Sequence, residues 1–161
     1  MEYYIKKEIE AVKIVSFDLK KSIFYCTQKY NDLIIQDDKK ISITIGVQST
    51  LILTDKNGFE IVIDNLISNA IKHNKKITHI HISLEDDILN ISDDGEGIKS
   101  QNIYQVFDKY YQSDNEVKGF GIGLNIVKEF CDKHKIYIKI NSSTNGTIFS
   151  LNLQNIIDKE L

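Results

Sequence analysis

Proline is absent from this chain of 161 residues, and cysteine occurs only twice. No internal repeat or low-complexity stretch interrupts it, so one domain with a sizeable core is expected. No apolar run approaches the roughly 20 residues that cross a bilayer as a helix, and no signal-peptide pattern opens the sequence. A basic excess is missing too. Lys and Arg number 20 against 23 acidic residues, a net charge of −3, and the lysines are dispersed, which leaves no footprint for nucleic acid. Cys26 and Cys131 sit in apolar, helical-looking surroundings and read as two buried free thiols, which points to a reducing, cytoplasmic setting. What remains, 42% hydrophobic and 27% charged, is an ordinary globular composition.

Taken in order, Val12 to Phe17 reads as a short strand, and Asp18 can cap a helix carrying Ile23, Phe24, Cys26, Tyr30, Leu33 and Ile34. Ile41, Ile43 and Ile45 alternate with Ser and Thr as a half-buried strand, and Leu51 to Leu53 is another. After the turn Asp55-Lys56-Asn57-Gly58 comes a helix over 59 to 73. Strands from Ile77 to Leu84 and from Ile88 to Ser92 flank the acidic turn Glu85-Asp86-Asp87. A short helical piece is predicted near Ile103 to Phe107 and a strong helix from about Leu124 to His134. Two last strands, Ile136 to Ile140 and Thr147 to Leu153, make a hairpin around Asn145-Gly146. The expected fold is α+β: a two-layer α/β sandwich whose mixed, mostly antiparallel sheet carries about three helices on one face. The expected boundaries are a remnant helix or linker at 1–11, a domain at 12–155 and a C-terminal tail at 156–161.

The helix over 59 to 73 organises the rest. Phe59, Val62, Ile63, Leu66 and Ala70 share one side at 100° per residue, an apolar stripe. Asn65, Asn69, Lys72 and His73 line one flank. Amide oxygens suit Mg2+ and a lysine suits phosphate, although the same residues could mark the wet side of an amphipathic helix.

Period-2 alternation sends Asp93 to the side of Leu89 and Ile91, towards the core. A carboxylate there requires donors: an adenine amine would serve, and so would the backbone of the turn Asp94-Gly95-Glu96-Gly97. Gly95 and Gly97 would let a flat ring come close. The run Gly119-Phe120-Gly121-Ile122-Gly123-Leu124 leads into the next helix, whose free N–H groups suit phosphate, and its spacing is neither the dinucleotide fingerprint nor a P-loop.

These segments resemble the ATP-binding catalytic domain of bacterial sensor histidine kinases, of the superfamily that includes the gyrase, mismatch-repair and heat-shock chaperone ATPases. Residues 65 to 73 resemble its asparagine box, 93 to 98 its first glycine box, 106 to 111 its phenylalanine box and 119 to 124 its second glycine box. They occur in family order, and the likeness covers roughly residues 12 to 153. It implies Asn69 as the Mg2+ ligand with Asn65 beside it, and Lys72 and His73 near the phosphates of ATP. Asn65, Asn69 and Lys72 are then the catalytic set. It places Asp93 on the adenine amine, with Gly95, Gly97 and Ile98 at the ring. Residues 107 to 123 become a mobile lid, within which Tyr110, Tyr111, Lys118, Gly119, Gly121, Ile122, Gly123 and, just beyond it, Leu124 join the nucleotide set. Three departures stand out: Asp94 where Asn is usual, His73 where Tyr is common, and Gln112 where Arg often stands.

In the hydrolysing relatives a Glu base precedes the Mg2+ asparagine by four positions; here that position is Asn65, which favours phosphoryl transfer to a protein group. The family's acceptor histidine lies on a dimerisation hairpin, and none of the four histidines here resembles it. His79 and His81 share the outer face of one strand, and His134 ends a helix. The resemblance therefore implies a catalytic fragment, monomeric by itself and inactive in autophosphorylation without its dimerisation domain. The parent would be a homodimer, compatible with an inner-membrane anchor, acting on a response regulator indirectly. Two alternatives are a nucleotide-gated interaction module without transfer and a serine kinase acting on a regulatory partner.

Overall fold

Period-2 and period-3.6 apolar patterns lay down the order β1 (Ile14–Asp18), α1 (Leu19–Gln36), β2 (Ser42–Gly46), β3 (Leu51–Asp55), α2 (Lys56–His73), β4 (His79–Glu85), β5 (Ile88–Asp93), α3 (Gly123–Lys133), β6 (Tyr137–Ser143) and β7 (Gly146–Asn152). The computed structural model describes residues 12–36, 41–73, 78–109 and 122–159. Five strands form one sheet in the order β2-β4-β5-β7-β6, antiparallel except for the parallel pair β2–β4, while β1 and β3 make a separate antiparallel pair. The expected α+β sandwich, with a mixed and mostly antiparallel sheet, is what forms.

Central strand β5 shows the layering. Leu89 and Ile91 are buried on one side, and Asn90 and Ser92 turn to the other. Ile80 and Ile82 of β4 and Phe149 and Leu151 of β7 continue the buried layer. Against it lies α2, whose expected stripe of Phe59, Val62, Ile63, Leu66 and Ala70 is buried, with Ile67 beside it. Each such large side chain contributes about 1.5–3 kcal/mol through burial. Both cysteines are buried free thiols, and burial pushes each up to about 12, so they stay protonated.

Several boundaries differ from expectation. Helix α2 begins at Lys56, because Asp55 Oδ1 accepts the Gly58 N–H at 3.1 Å and turns the predicted loop into a capped first turn. Asp18 caps α1 as expected, accepting the Lys21 N–H at 2.9 Å. Phe24, predicted in the stripe of α1, is 56% exposed, because Ile23 holds the buried side and the next residue points about 100° away. No helix forms at Ile103 to Phe107. Ser100–Asn102 is a 3-10 turn, and bonds from Gln105 N–H to Asn102 O and from Asp108 N–H to Gln105 O continue as turns. Tyr104 there is 90% exposed, while Phe107 packs on the core without a helix around it. The stretch expected to open a tail at 156 instead runs along β3. Leu53 N–H donates to Ile156 O, Asp158 N–H donates to Leu51 O, and Ile156 is buried.

At the end of α3, His134 stacks on Phe130 with ring centroids 4.1 Å apart, and its Nδ1 lies 3.0 Å from the Thr54 hydroxyl. Its buried Nε2 has no hydrogen-bond partner among the described residues. Burial lowers this imidazole from its ordinary 6.5; the Lys133 charge adds to the shift and Asp55 opposes it. A lowered histidine takes up a proton on unfolding, so its stabilising contribution is complete above the ordinary value and is lost as pH falls from there through the folded value. Thermal melts at about pH 7.5 and 5.5 are expected to show lower stability at the acid end, with a flatter dependence in His134→Gln. Equal slopes in the two proteins would contradict this.

Candidate functional site

Helix α2 carries two amides off the edge of its buried stripe. The Asn65 side-chain N–H donates to Ile61 O at 2.8 Å, which commits its nitrogen and turns Oδ1 outward. A Cβ added to Gly123 would stand 2.5 Å from that oxygen, so Asn65 lies directly against the first residue of α3. The N-cap residue of α3, Ile122, makes no side-chain cap bond of its own. Asn69, one turn beyond Asn65, is half-buried on the same edge, and Lys72 is exposed. Leu124 packs on the core, and Asn125 Nδ2 donates to Phe107 O at 3.2 Å, joining the expected phenylalanine box to α3.

A second group gathers where β5 ends. Asp93 pairs in register with Ile80 on one side and Thr147 on the other. Its Oδ1 accepts the Gly95 N–H at 2.9 Å, so one carboxylate oxygen does close the turn. The following loop is clamped to the β6–β7 hairpin. Ile98 N–H donates to Ser142 Oγ at 2.7 Å, and that hydroxyl lies 2.8 Å from Thr147 Oγ1. Gly97 has φ +73°, and a Cβ there would fall 1.8 Å from Ser143 O. The close approach at Gly97 is therefore to the backbone of β6. Across the clamp, Gly146 has φ +127°, and its Cβ would fall 1.9 Å from Asp93 O. Gly97→Ala is expected to cost about 1–3 kcal/mol of stability through strain and collision. Urea denaturation tests it: an unchanged midpoint would mean the loop is not held on β6.

Asp94, where the family usually has Asn, turns the other way. Its Oδ1 accepts the N–H groups of Thr78 and His79 at 2.8 Å each, and it also pairs with the Thr78 hydroxyl. Burial opposes the ionised form, but these donors outweigh it and hold the carboxyl below its ordinary value. Asp94 thus fastens the start of β4.

Of the predicted residues, Asn65 and Gly123 come together at α3, while Asp93, Gly95, Gly97 and Ile98 form the cluster beside Thr147; α2 packs on both α3 and β5. The side chain of His73, and residues Tyr110, Tyr111, Lys118, Gly119 and Gly121, lie outside the described residues. Ser142 and the buried Thr147 went unpredicted, although alternation of Thr147 with Phe149 and Leu151 marks it as inward-facing. A polar depression of about 300 Å3 on the opposite face of the sheet, around Asn90, Lys139 and Asn141, is lined by none of the predicted residues.

Residues 54–156 match the family described as histidine kinase-, DNA gyrase B-, and HSP90-like ATPase. Sensor histidine kinase YvrG of Bacillus subtilis (strain 168) is 31% identical over 170 residues, a match covering 92% of this chain and 29% of that protein. Among solved structures, a nucleotide-free catalytic domain of histidine kinase ThkA superposes with a TM-score of 0.71 at 20% identity, covering 86% of this chain and 93% of that one. Full-length ShkA in complex with AMPPNP superposes at 0.72 and 18% identity, covering 91% of this chain and 32% of that one. At such identities the likeness carries the fold. The chain spans less than a third of the first curated relatives, 29%, 24% and 17% of their lengths. Among the described residues, no helix is long and apolar enough to cross a membrane.

Proposed function

We propose, from the premise that this chain belongs to the histidine kinase-, DNA gyrase B-, and HSP90-like ATPase family, that it binds Mg-ATP and donates the γ-phosphoryl group to a histidine on a separate dimerisation domain. The observation that carries transfer over hydrolysis is Asn65. It stands four positions before Asn69, its nitrogen donates to Ile61 O, and its oxygen faces Gly123. A carboxamide has no useful basicity, so this position cannot take a proton from water.

The donor set fits a magnesium nucleotide. Asn69, with Asn65 beside it, offers neutral hard oxygen for the metal, and exposed Lys72 offers a point charge for phosphate. The opening turn of α3, starting at Gly123 after an N-cap without a side-chain bond, offers N–H groups to phosphate oxygens. Asp93 accepts from the base's exocyclic amine, with the Thr147 hydroxyl on the neighbouring strand and the loop at Gly95, Gly97 and Ile98 bounding the ring. Mg2+ held there would supply charge neutralisation for the phosphates, and positioning by these residues would supply most of the remaining catalysis.

The test mixes the domain with a dimerisation domain bearing the acceptor histidine, using ATP labelled on the γ-phosphate. Acid-labile label on that domain, dependent on Mg2+, is expected. ATP binding with an unlabelled acceptor would instead favour a nucleotide-gated module. Acid-stable label would favour a serine kinase, and rapid release of free phosphate would favour a hydrolase.

A further inference from the structure

Strand β4 opens His79-Ile80-His81. Ile80 is fully buried, so both imidazoles stand on the outer face of the sheet, away from α2. There the parallel register sets Ser42 of β2 opposite His79 and Thr44 opposite His81. The two rings stack at an interplanar angle of 15° with centroids 6.2 Å apart. Thr44 Oγ1 lies 3.1 Å from His79 Nε2 and 2.7 Å from His81 Nδ1, so one nitrogen of each ring converges on the same oxygen. On its far side His79 Nδ1 lies 2.7 Å from Ser42 Oγ, the type of outer partner that orients a ligating imidazole. The Asp94 carboxylate accepts from the His79 backbone N–H at 2.8 Å and places negative charge beside the pair.

We infer that His79 Nε2 and His81 Nδ1, with Thr44 between them, form a surface site for a divalent transition-metal ion such as Zn2+ or Ni2+. Two imidazole nitrogens facing one point are the donors these ions prefer, whereas Mg2+ prefers oxygen. Metal–nitrogen bonds of about 2.0–2.1 Å require the rings to draw in by small side-chain rotations as the Thr44 hydroxyl swings aside. Among the described residues, no group of three His, Cys, Asp or Glu forms a metal cluster, so water completes the shell and the ion is exchangeable. Occupancy would act on edge strand β2, whose Ser42 and Thr44 hydroxyls both meet β4 through these rings.

Calorimetric titration of the protein with zinc or nickel chloride, in excess Mg2+ and without nucleotide, tests the site. One ion per chain should bind, and His79→Gln or His81→Gln should each weaken it by at least about tenfold, by loss of a ligand. Binding that survives the double substitution, or no binding up to millimolar metal, overturns the proposal. A readout on the unmutated protein removes any dependence on the variants' folding. Paramagnetic Ni2+ should broaden the NMR amide signals of Thr44 and His79 to Ile82 before any on α2, and broadening centred elsewhere overturns the site equally.

Discussion

Asp93→Asn is expected to weaken ADP binding by roughly tenfold or more, as loss of a charged hydrogen bond worth about 1.5–3 kcal/mol implies. Asp93 ends β5 on the side of buried Leu89 and Ile91, between Ile80 and Thr147, and one of its oxygens already accepts from Gly95. Asparagine keeps one oxygen, so the turn can persist, but it would present an NH2 group where the proposed base site needs an acceptor. The fold should therefore survive while recognition fails. Guanine nucleotides should bind worse than adenine nucleotides to the unmutated protein, since their carbonyl oxygen would oppose the carboxylate. Calorimetry with ADP decides the matter: affinity equal to that of the unmutated protein would remove Asp93 from the base site.

Asn69→Ala should cut Mg2+-dependent transfer by about a hundredfold or more, the scale of losing one preorganised electrostatic group. Asn69 sits half-buried on the edge of α2, outside the stripe formed by Phe59, Val62, Ile63, Leu66 and Ala70. Truncating it opens no cavity in the core, and substitutions away from such features usually stay within about 0.5 kcal/mol. The expected pair of results is an unchanged melting temperature without ligand and a lost rise in melting temperature with Mg-ATP. A large fall in the ligand-free melting temperature would show that Asn69 holds the fold together, and its role at the metal would then lack support.

What could be read without coordinates depended on local period. The apolar stripe of α2, the inward side of Asp93, the outward side of His79 and His81, and the hairpin around Gly146 all follow from 3.6- or 2-residue spacing, which neighbours in sequence impose on each other. The ordered glycine and asparagine boxes supplied the family, because those residue types recur together at that spacing. Local period also explains the misses. Phe24 looked like part of an apolar face although the helix turns it outward, and Asp55-Lys56-Asn57-Gly58 looked like a loop until Asp55 capped it.

The sequence by itself determined the layers, the helix that bears the amides and the strand that bears the carboxylate. Only the tertiary structure decided which partners each meets. Thr147 stands beside Asp93 because β5 and β7 pair in one particular register across more than 50 residues of chain, and Ser142 holds Ile98 because β6 pairs with β7 at Thr147. Asn65 meets Gly123 because α2 packs on α3, and Asp94 turns to Thr78 and His79 because β4 begins beside it. Contacts between distant segments depend on register and on packing into one shared core, and no local spacing in the chain encodes either.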